Sequence, residues 1–371
     1  MGYLDFAKQT LILPQGAPVH DPSGVIAPYE GGLLLWSLLE YSDTTDDLVK
    51  KALDELVKIQ LPDGSWYEQY YPTRKTDGTY DQTGTPNRVD SGAALTAIAM
   101  SRYDAKHIST IYKTIVQNAL SFLRACQARH NSVYGKNLLA NLINGVYPAG
   151  TWVDYAFAAD CAESLLAMKI AMDTYGDTLT TSGGYSVKTM ANALYADFTA
   201  FWTGGLSGDL DDSPFQTAYP AQSTFPAAIS FTQGLVARAI YEWVHSGYNT
   251  SSNYEPFCKR ALNYAIALMT GKWGGFWYHP SGQGGTVSFG GTEEVFAYTA
   301  LMTLGMHIVD STTYADRILK HKAWMDSLTE DDGRVYNEQR LNGVLIPGTT
   351  AITRFIALNT AYMLLVKAHG M

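Results

Sequence analysis

EGGLLLWSLLEYSDTTDDLVKKALDELVKIQ, from Glu30 to Gln60, contains two helical patterns of different character joined by a very short connection. The first pattern is apolar almost all round, which is typical of a helix that is buried on every side. The second carries its charges on one face and its apolar residues at helical spacing, which predicts a helix that covers a core from outside. Because Ser42, Asp43 and Thr44 are the only residues between them, the two helices are expected to form a hairpin of one inner and one outer helix.

The same alternation of inner and outer patterns continues along the whole chain. Small and apolar residues dominate DSGAALTAIAM, DYAFAADCAESLLAMKIAM and EEVFAYTALMTLGMHIV, whereas ISTIYKTIVQNALSFLRACQAR and YADRILKHKAWMDSL are amphipathic. Strand-like alternation is scarce. The periodicity predicts twelve helices, at about 3–10, 29–42, 45–59, 90–104, 107–130, 154–175, 184–203, 226–246, 252–270, 292–309, 312–328 and 350–368.

The connections alternate as strictly as the helices do. Each outer helix leads to the next inner helix through a long segment rich in Gly and aromatic residues, at about 61–89, 131–153, 205–225, 271–291 and 331–349. Since these segments recur at one phase of the repeat, they must lie on one face, where repeat proteins place their binding sites. The sequence therefore predicts an all-α (α/α)6 toroid that occupies residues 1–371 as a single domain with its cleft at the long-loop face.

Composition and charge exclude several classes of function. The chain has 371 residues, of which 46% are hydrophobic and only 16% are charged, and its net charge is −9. A nucleic-acid-binding protein or an anionic-membrane binder needs a basic face, so neither partner is expected. No run of about 18 apolar residues predicts a membrane span, and no signal-peptide pattern precedes the first helix, although the composition is compatible with an extracellular protein. Three isolated cysteines without CxxC spacing favour neither a metal site nor a cofactor.

Aromatic and polar residues in the long loops indicate a carbohydrate ligand. Stacking rings and hydrogen-bonding side chains are what a polyol requires, and rings from different loops would converge in a toroid. Arg354 stands on the otherwise apolar last inner helix, where it needs an acidic partner or an anionic ligand. We expect the following residues to bind substrate: Trp66, Tyr67, Glu68, Trp152, Trp273, Trp277, Tyr278, His279 and Arg354.

Two stretches resemble the six-hairpin, (α/α)6-toroid glycosidases, and most closely the unsaturated glycuronyl hydrolase type. DGSWYEQ followed by NRVDSGAALTAIAMSRY is similar to that group's Gly-x-Trp-Tyr loop and the acidic residue that opens the next inner helix. GTWVDYAFAADCAESL is similar to its Trp-x-Asp motif, but Tyr155 replaces the group's usual second Asp. The resemblance implies a toroid that hydrolyses a glycoside, with Asp90 and Asp154 as acidic residues of the site.

Position in the repeat also singles out these two carboxylates. Asp90 and Asp154 each follow a long loop and are predicted to begin an inner helix, where free N–H groups and the helix dipole stabilise a carboxylate. Glu293 and Glu294 occupy the same position in a later repeat. Because glycoside cleavage needs two carboxyl groups, these four residues are the catalytic candidates, and helix capping is the structural alternative for each.

Two other functions compete with the glycosidase. KIQLPDGSW has the Gln-x3-Gly-x-Trp spacing of terpene-cyclase repeats, and the string Asp209-Leu210-Asp211-Asp212 matches the acid motif of class II cyclases. A cyclase requires a dry, apolar cavity, whereas these loops are rich in Thr, Gln, Asn and Gly. The third alternative is a non-catalytic toroid that keeps a carbohydrate-binding cleft but lacks a working carboxyl pair.

Overall fold

The computed structural model describes most of the chain and contains twelve α-helices in the part that it describes. The described residues are 3–19, 24–84, 86–143, 150–204, 212–222, 224, 227–271, 274–277, 294–329, 335, 340–341, 344–345 and 356–371. The helices are α1 Tyr3–Thr10, α2 Pro28–Tyr41, α3 Asp46–Lys58, α4 Asp90–Lys106, α5 Lys113–Tyr134, α6 Ala158–Tyr175, α7 Val187–Asp197, α8 Ser230–Val244, α9 Glu255–Met269, α10 Phe296–Asp310, α11 Ala315–Asp326 and α12 Ile356–Ala368.

Six of these helices form a closed inner ring. Helix α2 packs against α4, α4 against α6, α6 against α8, α8 against α10, α10 against α12, and α12 returns to α2. The amphipathic helices lie outside, with α3, α5, α7, α9 and α11 each packed on the inner helix before it and α1 on α12. The predicted (α/α)6 toroid is therefore confirmed. None of the described helices combines the length and apolar character that a membrane crossing requires.

Short antiparallel strand pairs brace the long connections. The strands are β1 Tyr70–Arg74, β2 Tyr80–Gln82, β3 Asn141–Ile143, β4 Thr151–Val153, β5 Ala156–Phe157, β6 Ala218–Tyr219, β7 Phe276–Trp277, β8 Glu294–Val295, β9 Arg340–Leu341 and β10 Val344–Leu345. They pair as β1 with β2, β3 with β4, β5 with β6, β7 with β8 and β9 with β10. All of them precede an inner helix, so they lie at the long-loop face and hold the loops over the N-terminal ends of the ring.

This pairing explains why two inner helices begin later than predicted. Helix α6 begins at Ala158 rather than near 154, because residues 156–157 pair with β6 instead of continuing the helix. Helix α10 begins at Phe296 rather than near 292, because Glu294 and Val295 pair with β7. An apolar run next to a helix shows the same hydrophobicity whether it is the first helical turn or a short buried strand, so the sequence did not separate the two.

Two glycines allow the close approach of α8 and α10, and we predict that adding a side chain to one of them destabilises the ring. A Cβ on Gly234 would lie 2.5 Å from the carbonyl oxygen of Leu301, and one on Gly305 would lie 2.6 Å from that of Gly234. Gly234→Ala should lower the free energy of unfolding by about 1–3 kcal/mol in a denaturant titration. Gly92→Ala is the matched control, because its Cβ would meet Val89 at 3.6 Å and the backbone nitrogen of Tyr29 at 3.9 Å, both ordinary van der Waals contacts. Equal losses in both variants would contradict the close-packing explanation.

Candidate functional site

A pocket of about 370 Å³ opens at the long-loop face, over the N-terminal turns of the inner helices. Such a volume is typical of small-molecule sites. Its walls come from the first turns of α2, α4, α6 and α8, from α10, and from the loop that precedes α4. The lining residues are Tyr29, Glu30, Glu68, Gln69, Val89, Ser91, Phe157, Ala159, Asp160, Glu163, Thr217, Ile229, Phe231, Thr232, Leu235 and Leu301.

Asp160 is the carboxylate in the first turn of α6, and it lines this pocket. Asn141 on β3 donates its side-chain N–H to Asp160 Oδ2 at 3.2 Å. Burial raises the pKa of Asp160 to about 6 from its ordinary value of 3.8, while the hydrogen bonds from Asn141 and Asp90 limit the rise. The free N–H groups of the helix N-terminus also stabilise the ionised form. Asp160 therefore titrates close to neutral pH.

Asp90 lies behind Asp160 and forms a coupled pair with it. Asp90 is fully buried at the start of α4, where its Oδ1 accepts from the backbone N–H of Ser91 at 2.8 Å. Its backbone N–H donates to Asn141 Oδ1 at 3.0 Å, so one amide fixes both acids. Burial, and next the charge of Asp160, raise the pKa of Asp90 well above its ordinary value. Two carboxyl groups this close do not both ionise readily. Asp90 therefore keeps its proton and donates a hydrogen bond to the carboxylate of Asp160.

Glu163 is the second carboxyl group that α6 contributes to the pocket, one helical turn after Asp160. It is 4% exposed, and the hydroxyl of Tyr29 donates to its Oε1 at 3.1 Å. Its Oε2 has no hydrogen-bond partner among the described residues. Burial, followed by the charge of Asp160, raises the pKa of Glu163 well above 4.5. The Tyr29 hydroxyl also hydrogen-bonds Tyr362 on α12, so the network joins four inner helices.

The environments of Asp160 and Glu163 favour different protonation states for the two carboxyl groups. Asp160 is mostly ionised there because its pKa is about 6. Burial beside that charge favours the protonated form of Glu163. A base and an acid that face one pocket from the same helix are the groups that general acid–base chemistry needs. Among the described residues, no group of three or more His, Cys, Asp or Glu side chains is arranged to hold a metal ion.

We predict that Asp160→Asn stabilises the protein in a pH-dependent way. A carboxyl group whose folded-state pKa is raised contributes stability below its ordinary pKa and loses that contribution as pH rises through the folded-state value. Asn mimics the protonated acid, so the variant should melt several degrees above the wild type at pH 8 and at the same temperature near pH 4. Burial lowers the pKa of His130, His321 and His369, which act in the opposite direction, so the measurement is the difference between the two proteins at each pH. A difference that is constant with pH would contradict the assignment.

The structure agrees with one predicted catalytic position and disagrees with others. Asp90 begins an inner helix as predicted. Asp154 does not: it lies four residues before α6 and binds Arg129 on α5 through two hydrogen bonds of 2.6 and 3.0 Å. Glu294 belongs to β8 rather than to a helix, and its Oε2 accepts from the backbone N–H of Gly275 at 2.6 Å. These contacts hold the side chains of Asp154 and Glu294 in place. Neither residue belongs to the described lining of the pocket.

The residues that were predicted to bind the sugar also differ from those that line the pocket. Trp66 is 2% exposed and donates its indole N–H to the carbonyl of Leu56, so it packs the loop onto the core instead of facing a ligand. Tyr67 and Trp152 are partly buried against the same core. Of the predicted binding residues whose side chains the structure describes, Glu68 alone lines the pocket. The pocket lining includes the rings of Phe157 and Phe231, and Phe231 is stacked on Tyr298 with 5.0 Å between ring centroids. The remaining predictions lie outside the described residues or side chains: Glu293, Trp273, Trp277, Tyr278, His279, Arg354, Asp209, Leu210 and Asp211.

Sequence reasoning missed Asp160 and Glu163 although a signal was present. Both lie in DCAES, within a helix rich in small and apolar residues and therefore predicted to be buried. Acidic residues three positions apart share one face of a helix, and a buried helix has no solvated face for them. An acidic pair on an inner helix therefore marks a polar cavity more specifically than an acid at a helix start.

Several solved structures superpose on nearly the whole chain. Cellobiose 2-epimerase from Spirochaeta thermophila has a TM-score of 0.70 at 12% identity, covering 100% of this chain and 93% of its own. D-mannose isomerase has a TM-score of 0.69 at 14% identity, with 98% and 94% covered. A wild-type glycosidase has a TM-score of 0.65 at 12% identity, with 99% and 95% covered. No protein-family model matches the sequence, and no curated protein is similar to it. At these identities the likeness establishes the (α/α)6 fold.

Proposed function

We propose that the protein is a carbohydrate-active enzyme, a glycoside hydrolase that cleaves an oligo- or polysaccharide in the pocket at the long-loop face. The observation that carries the proposal is the pair of carboxyl groups on α6, Asp160 with a pKa of about 6 and Glu163 with a pKa well above its ordinary value. Glycoside cleavage uses an acid and a base of this kind on one pocket. The similarity to structures named as a glycosidase and sugar isomerases supports a sugar substrate.

Each residue of the network has a role in this reaction. Glu163 gives its proton to the oxygen of the leaving sugar as the glycosidic C–O bond breaks. Asp160 takes a proton from water as the water oxygen bonds to the anomeric carbon. Asp90 does not reach the pocket, and it acts as a positioning residue that holds Asp160 and lowers its pKa through a shared proton. Tyr29 holds Glu163 in place through its hydroxyl.

We propose a neutral sugar rather than a uronate as the substrate. The described lining contains four acidic residues and neither Lys nor Arg, so a substrate carboxylate would meet like charge. The acids are Glu30, Glu68, Asp160 and Glu163. These four acids disfavour the unsaturated glycuronyl substrate that the sequence resemblance implies. Phe157 and Phe231 supply apolar faces for sugar C–H groups.

A sugar isomerase or epimerase is the second candidate. The two highest TM-scores quoted above belong to structures named cellobiose 2-epimerase and D-mannose isomerase. The same base and acid could move a proton at a carbon next to a carbonyl, since Asp160 has a pKa of about 6 and burial favours the protonated form of Glu163. This reaction exchanges a carbon-bound hydrogen with solvent, whereas glycoside hydrolysis does not.

The test is a glycan panel with two readouts. Neutral and uronate-bearing oligosaccharides are incubated with the protein in D2O, and products are followed by chromatography and by NMR. Release of reducing ends without deuterium at carbon supports hydrolysis, whereas deuterium incorporation into free mannose, glucose or cellobiose supports the isomerase. Binding without any product would indicate the non-catalytic alternative. Turnover of a polyprenyl substrate that is lost in Asp211→Asn would favour the cyclase.

We predict that Asp90, the partner of Asp160, determines the pH at which the acid limb of kcat/KM falls. The hydrogen bond from Asp90 lowers the pKa of Asp160, so Asp90→Leu should raise that pKa and move the acid limb of kcat/KM to higher pH. Asp90→Asn keeps a donor at the same place, and its limb should stay near that of the wild type. A merely structural role for Asp90 would lower the rate in both variants without moving the limb.

A further inference from the structure

A second concavity lies on the outer side of the ring, between the loop at 61–65, helix α5 and the turn at 180–184. Its volume is about 550 Å³, larger than that of the carboxyl-lined pocket. Polar groups line it together with an apolar floor at Phe122, and the polar residues are Asp63, Arg88, Asn118, Ser121 and Ser182. We refer to it as the α5 groove. None of its lining residues belongs to the described lining of the first pocket.

Both walls of the α5 groove are fixed against α5 by direct contacts. On one side, a Cβ on Gly64 would lie 1.9 Å from the backbone oxygen of Asn118, so the loop touches the helix backbone. On the other side, Gln117 donates to the carbonyl of Thr180 at 2.8 Å, and the Ser121 and Ser182 hydroxyls hydrogen-bond at 2.7 Å. A rigid concavity loses little conformational entropy when a ligand binds, which favours binding.

A buried arginine lines this groove and is paired with one of its acids. The side chain of Arg88 is 3% exposed, and its Nη1 donates to Asp63 Oδ2 at 2.8 Å. Its Nε–H finds no acceptor among the described residues. The guanidinium also lies over the ring of Tyr67, 5.1 Å from the centroid, which fixes its plane. Arg88 and Asp63 therefore present a fixed ion pair in the lining of the groove.

We propose that the α5 groove is a second binding site for a neutral saccharide. A guanidinium beside a carboxylate matches two neighbouring sugar hydroxyls, one of which accepts from Arg88 while the other donates to Asp63. An anionic ligand would meet the Asp63 carboxylate, so the net charge of the pair favours a neutral one. Arg88 lines this groove and Val89 lines the first pocket, so one polymer chain could engage both sites. That shared role rests on the proposed function, whereas saccharide binding in the groove does not.

The test blocks the α5 groove in a protein that cannot hydrolyse its ligand. A Cβ on Gly183 would meet only Thr181 Oγ1, at 3.8 Å, so Gly183→Phe adds a ring to the groove without a clash at Cβ. In the Asp160→Asn background, calorimetric titration with neutral hexasaccharides (maltohexaose, cellohexaose and mannohexaose) should show at least tenfold weaker binding when Gly183→Phe is added. Hydrogen exchange should show ligand protection of residues 61–65 and 180–184. Leu319→Phe, which adds an aromatic ring on the exposed face of α11, is the control and should change neither result.

The outcomes separate this inference from the proposed function. Groove-dependent binding without turnover in the wild type would retain the second site and remove the hydrolase. Turnover of neutral glycans without any effect of Gly183→Phe on binding or protection would retain the hydrolase and overturn the second site. Binding of hexagalacturonate but of no neutral probe would also overturn it, because the ligand class would be wrong.

Discussion

Asp160→Asn is expected to lower turnover of the glycan substrate by about 10²–10⁴-fold, the range that a positioned acid or base contributes. Asn has nearly the same shape and can occupy the same site beside Asn141, but it cannot take a proton from water. The loss should fall on kcat, because the substrate still fits the pocket. Steady-state kinetics on the best substrate of the panel measure it, and the melting temperature at the same pH reports whether the fold is intact.

Asp154→Asn is the matched control for this variant. It removes the same charge six residues earlier in the chain, at a carboxylate that is 30% exposed and bound to Arg129. A half-exposed ion pair on the outer side contributes about 0–1 kcal/mol, so both turnover and stability should stay close to those of the wild type. If Asp154→Asn abolished turnover and Asp160→Asn did not, the site derived from the Trp-x-Asp resemblance would be right and the site on α6 would be wrong.

The fold was predictable from the sequence because it follows from a repeated physical contrast. EGGLLLWSLLEY must be buried on all sides and DDLVKKALDELVK cannot be, and one contrast of this kind in each hairpin is enough to order an inner and an outer ring. Loop length supplied the remaining information, since long segments at one phase of the repeat must share a face. These are properties of whole segments, and no single residue decides them.

The site was less predictable because it depends on which residue of a segment reaches the pocket. Asp154 and Asp160 differ by six positions, and the two-residue pairing of β5 with β6 decides that the helix begins between them. That pairing joins residues 156–157 to 218–219, a long-range contact that no local pattern reports. Trp66 shows the same limit: a loop tryptophan can face a sugar or the core, and its hydrogen bond to Leu56 decides for the core.

The carboxyl network also explains why the site lies at this end of the ring. The inner helices are consecutive in the ring and all enter it from the long-loop side, so their N-termini and unpaired N–H groups converge there. The helix dipole stabilises acids at helix N-termini and disfavours them at the opposite end, where they need a polar partner. At that opposite end the structure instead places Arg102 and Arg238, each beside a glutamate, Glu40 or Glu242. The acids Glu40 and Glu242 at that mouth are thus each paired with an arginine.

Glu163→Gln should produce the second large effect, a loss of turnover that depends on the leaving group. The variant removes the proton that we assign to the departing sugar oxygen, while Gln can still accept from the Tyr29 hydroxyl. We expect natural glycosides to lose about 10²–10⁴-fold in kcat, and aryl glycosides with an acidic phenol to lose much less, because such a leaving group departs without protonation. The basic limb of the pH profile should disappear as well, since that limb reports the deprotonation of Glu163.

Tyr29→Phe is the control, because it removes only the supporting hydroxyl and should lower the rate of both substrate types to the same modest extent. Equal, large losses for both substrates in Glu163→Gln would show that Glu163 is not the proton donor, and they would transfer that role to Asp160 with its partner Asp90.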